Sequence, residues 1–125
     1  MNGIARNFML LALSFLFLGV VVGLYMAISQ DHAQSTAHAH IMLAGWVTAA
    51  LCALFYRVTE KAALSRLAQV HFWLQAPSTV VMTVSLLFLY AGHAEAETGA
   101  AVGSVGFAVA VVVFAFNVVL SFGET

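Results

Sequence analysis

Charge is what this sequence has least of. Only 7% of its 125 residues are Asp, Glu, Lys or Arg, against about 25% in a soluble domain. A water-soluble globular surface is therefore excluded. The four basic residues are outnumbered by five acidic ones, for a net charge of −1, so nothing in the balance suggests a nucleic-acid partner. Cysteine is almost missing. Cys52 stands alone and cannot form an internal disulfide. There is no Cys-x-x-Cys pair and no Cys-x-x-Cys-His, which excludes covalently attached heme. No phosphate-binding Gly-x-x-x-x-Gly-Lys loop occurs either. Proline appears once, as Pro77, where a kink in its helix is expected.

What is present is apolar: 63% of the residues are hydrophobic, and the mean hydropathy is +1.02. Four runs, at about residues 4–28, 37–58, 67–91 and 99–122, are each long enough to cross a bilayer, for which about 20 residues suffice. The expected fold is all-α: one domain, residues 1–125, forming a four-helix transmembrane bundle. Short connections make sequential neighbours antiparallel. The first run resembles a signal peptide only superficially. Its apolar core, residues 8–28, exceeds the usual 7–15 residues, and no small-x-small cleavage site follows. Gly19 and Gly23 form a Gly-x-x-x-Gly pair that permits close helix approach. Gly99, Gly103 and Gly106 give the fourth helix a small-residue face, suited to another helix of this chain or of a second copy.

Arg6, Arg57, Lys61 and Arg66 all fall at one end of the predicted bundle. The positive-inside rule makes that end cytoplasmic, with both termini inside a bacterial inner membrane. The outer end then holds His32, His38, His40 and His93. Five histidines exceed the lysines and arginines together, and in so apolar a chain the surplus points to metal or heme chemistry. His32 and His93 lie in loops and read as solvated residues. His71 lies near the inner end, roughly 20 Å in depth from His40. It reads as an interfacial histidine tethered to a neighbouring helix by a hydrogen bond.

His38 and His40 open the second run, in Thr36-Ala37-His38-Ala39-His40-Ile41-Met42-Leu43-Ala44-Gly45-Trp46. On a helix, residues two apart point about 200° from each other, so the pair cannot grip one ion together. One face would meet the chain's own bundle, the other lipid or a second chain. If the segment were extended instead, His38, His40 and Met42 could converge on copper. A third reading is an accessory subunit whose histidines serve only at an interface.

The order His38-Ala39-His40, Leu43-x-Gly45, Phe55-Tyr56 and Val70-His71-Phe72-Trp73 resembles heme-copper oxidase subunit I, at its tenth and eleventh helices. The likeness covers about residues 37–75. In that family a His-x-His helix holds two hemes, one on each face, within twelve helices arranged as three arcs of four. The resemblance implies that this chain is one arc, completed as a homotrimer. It implies heme b bound by His38 of one protomer and His40 of the next, and electron transfer as the work. The family's His-Pro-Glu-Val-Tyr copper motif is absent, which implies no copper centre and no oxygen reduction. Its paired arginines after the eleventh helix are absent too, leaving the heme propionates without that partner. The redox partner and any quinone binding are not legible in these residues.

Overall fold

The computed structural model describes residue 1 and residues 3–123. Four helices in it are long and apolar enough to cross a membrane: Gly3–Ser29, Ser35–Val58, Arg66–Leu89 and Ala94–Ser121. They are called the first to fourth spans. No strand occurs among the described residues.

Each apolar run overlaps one helix over most of its length, and the ends differ by a few residues because capping and turn chemistry set them. The second span starts at Ser35, after a turn in which Gln30 takes a positive φ of 59°. The third begins after Ser65, whose hydroxyl caps it by accepting from the Ala68 amide. It ends at Leu89, two residues short of expectation. The fourth starts earlier than expected, through a 3-10 turn at Ala94–Ala96 that leads into the helix Glu97–Ser121. The connection expected as a loop between the second and third spans contains a helical turn, Glu60–Ala63, with Ala62 buried. The third span continues as α-helix through Pro77.

The buried positions show how each span packs. In the first, Ala5, Phe8, Ala12, Phe15, Gly19, Val22 and Met26 are buried, a strict alternation of three- and four-residue steps that keeps one seam facing its partner. In the second, Ala37, Ile41, Gly45 and Ala49 are buried at steps of four, followed by Cys52, Ala53 and Tyr56. Steps of four drift around an ideal α-helix of 3.6 residues per turn. The span corrects that drift with a π-helical stretch, Ile41–Val47, whose wider i→i+5 turns hold the stripe on one side.

The first span packs along the second and the third along the fourth, and the third joins the two pairs. Both pairs depend on glycine. A Cβ on Gly103 would lie 2.7 Å from the Met82 Cα, so the fourth span approaches the third backbone to backbone. The Gly99–Gly106 face is thus used inside this chain. A Cβ on Gly23 would lie 3.1 Å from the His38 ring, and one on Gly19 would meet the Met42 sulfur. The expected close approach at Gly19 and Gly23 is the seat of the second span.

Candidate functional site

His38 and His40 lie on the first turns of the second span, just before the π-helical stretch. The helix sends them apart. The His38 ring packs over Gly23 of the first span, and its Nδ1 is buried without a hydrogen-bond partner. His40 is exposed. Its Nδ1 lies 2.8 Å from the Thr36 carbonyl oxygen. A carbonyl only accepts, so Nδ1 carries the proton and Nε2 presents a lone pair. This carbonyl–imidazole arrangement is the one that orients metal-bound histidines and fixes their tautomer. His40 is exposed, so its Nε2 is open to groups from outside the protomer.

The copper reading needs an extended segment here, and the segment is helical. Met42 lies beside Gly19 on the first span while His40 faces outward. No cluster of three or more His, Cys, Asp or Glu able to hold a metal ion occurs among the described residues. The two loop histidines are surface residues. His32 Nδ1 is 3.3 Å from the Gln30 carbonyl, and His93 pairs with exposed Glu95 at 3.3 Å.

His71 is where the structure adds most. It was expected as an interfacial tether, and the tether exists: its Nδ1 is 2.9 Å from the Tyr56 hydroxyl on the second span. But His71 is fully buried, at 0% exposure. Its ring lies between Phe8 of the first span (centroids 4.7 Å apart) and Phe114 of the fourth (4.8 Å). On its own span Gln75 Oε1 stands 2.6 Å from Nε2, and the Cys52 sulfur is 4.0 Å from the same nitrogen. All four spans therefore meet at one imidazole.

A polar network continues toward the end of the bundle that holds Arg57, Lys61 and Arg66. Asn117, buried on the fourth span, donates to Tyr56 Oη at 3.4 Å and to the Ala62 carbonyl at 3.2 Å. It accepts from the Ser65 hydroxyl at 3.3 Å. Toward the other end, the Thr79 and Thr83 hydroxyls return to the carbonyls of Gln75 and Thr79. The sequence carried a signal for this column. His71, Gln75, Thr79 and Thr83 recur every fourth residue in an otherwise apolar helix, and polar groups inside a membrane helix face the bundle rather than lipid.

No family model matches this chain, and neither do the curated proteins nor the solved structures with which it was compared.

Proposed function

We propose that this chain is one protomer of a small b-type membrane cytochrome. Low-spin heme is held at each boundary between copies by His38 of one protomer and His40 of the next, in a homotrimer of twelve helices. The observation that carries this reading is His40: exposed, its Nδ1 committed to the Thr36 carbonyl, its Nε2 left as a ligand directed away from its own bundle. His38 contributes a second imidazole, with no protein partner at Nδ1, its ring packed against Gly23, where any side chain would crowd it. The helix separates the two rings of one chain, so a heme held by both residue types would take His38 from one chain and His40 from another. The residues thus fit heme b.

Bound heme supplies one-electron transfer. Held by His38 and His40 together, the group would have no iron position open to a substrate, which favours an electron carrier over an oxidase. The chain's own part is to fix the tautomer of His40 and to seat His38 against the first span.

The test is the visible spectrum of protein purified from heme-replete cells. A Soret band with a sharp α band on reduction is expected, lost in His38→Ala and in His40→Ala. The same bands should persist in His71→Ala, whose imidazole is enclosed by its own bundle. A colourless wild-type preparation overturns the reading.

A further inference from the structure

The backbones of the second and fourth spans stand apart: no Cα of one comes within 8 Å of a Cα of the other. Phe114 bridges the gap at the inner end, with ring centroids 5.3 Å from Phe55 and 5.9 Å from Tyr56. Beside this bridge lies a cavity of about 320 Å³, within the size range of small-molecule sites. Leu51 of the second span and Val111 of the fourth line it and are 61% and 42% exposed, so it opens onto the bundle surface. His71 and Gln75 line its interior, and Phe107 and Phe114 supply aromatic walls.

The hydrogen bonds at this cavity have a direction. Gln75 Oε1 only accepts, so His71 Nε2 carries the proton of the neutral ring and donates at 2.6 Å. His71 Nδ1 is then the acceptor, and Tyr56 donates to it at 2.9 Å. Asn117 donates in turn to Tyr56. The chain of donors ends at the Gln75 amide nitrogen, which is buried with no partner. Gln75 is itself 0% exposed. A buried donor left unpaired is costly, and the group that satisfies it must bring an acceptor. Gln75 lies nine residues into the third span from Arg66, about 14 Å along the axis. That is near the middle of a hydrocarbon layer of ~30 Å, beyond reach of the ester carbonyls of lipid headgroups.

We propose that this cavity binds a lipid-soluble planar carbonyl compound of the quinone class. One carbonyl oxygen accepts from Gln75 Nε2, the ring lies against Phe107 and Phe114, and the tail leaves between Leu51 and Val111. A bare acyl chain would fit the apolar walls but leave the amide unpaired. The site uses neither His38 nor His40, so it stands or falls separately from the heme reading.

The test titrates the purified full chain in detergent with a decyl-tailed 1,4-benzoquinone, following quenching of the intrinsic fluorescence of Trp46 and Trp73. Saturable binding is expected. Gln75→Leu should weaken it about tenfold, the loss of one buried hydrogen bond. Val111→Phe should abolish it by filling the cavity. Decylbenzene, with the same tail and no carbonyl, should not compete. Where Gln75→Leu does not yield folded protein, the carbonyl stretch of the bound quinone in wild type takes its place, with a shift to lower frequency expected. Non-saturable quenching, affinity unchanged in Val111→Phe, an unshifted carbonyl, or equal competition by decylbenzene would each overturn the proposal.

Discussion

Two histidines of this chain have opposite surroundings, and their chemistry follows from that. His71 has every neighbour supplied by its own protomer: Tyr56, Gln75, Phe8 and Phe114. His40 has one, a backbone carbonyl, and its other nitrogen faces outward. The first is a structural hub, and the second is the exposed imidazole on which the proposed heme site rests. Tyr56→Phe tests the hub. It removes the donor to His71 Nδ1 and the acceptor used by Asn117 while keeping the ring stacking. The expected cost is about 1 kcal/mol, in the range measured for hydrogen bonds between membrane helices, read as a lower denaturation midpoint in detergent. An unchanged midpoint would mean that the network contributes nothing to the fold. The His-x-His pair was legible as two divergent side chains, because helical geometry alone fixes that divergence. The full burial of His71 was not. It depends on which helices converge at that depth, and only the four-residue spacing of His71, Gln75, Thr79 and Thr83 hinted at a polar column.

At the level of the helices, hydropathy alone gave the number and type of spans, since uninterrupted apolar runs of this length have few other uses. Their ends shifted by a few residues, because a Ser65 cap, a 3-10 turn and the Glu60–Ala63 turn are local hydrogen-bond choices that hydropathy does not record. The π-helical stretch Ile41–Val47 was not legible either. It arises from the demand that Ala37, Ile41, Gly45 and Ala49 all face inward. Glycine contacts give the sharpest prediction here. In Gly103→Ala the new methyl would sit against the Met82 backbone, which cannot turn aside. A loss of about 2 kcal/mol is expected from overpacking. Gly99→Ala meets instead the Ser85 side chain, which can rotate, and should cost clearly less. Equal denaturation midpoints for the two variants would contradict a backbone-to-backbone contact at Gly103.

At the scale of the whole molecule, most of the apolar surface of the spans is not covered by the chain itself. In the fourth span only 17% of the most apolar window is buried, and Val102, Val105, Phe116 and Leu120 are each more than 60% exposed. Lipid or further copies must cover this surface. The positive residues gather at the end away from His38 and His40, which supports a cytoplasmic placement for the turn holding Lys61. A reporter fused after Lys61 should be active only in the cytoplasm; periplasmic activity would invert the arrangement and move the proposed heme sites to the inner face. The central claim, that each heme takes one histidine from each of two chains, is tested most directly by mixing deficient copies. A His38→Ala chain still offers His40, and a His40→Ala chain still offers His38. Neither should form the bis-imidazole site alone. Differently tagged and co-expressed, then purified through both tags in sequence, they should form mixed oligomers in which some boundaries have both ligands. The reduced-minus-oxidised spectrum of that sample should partly recover the sharp α band, whereas no recovery in a doubly tagged oligomer would contradict ligation shared between chains.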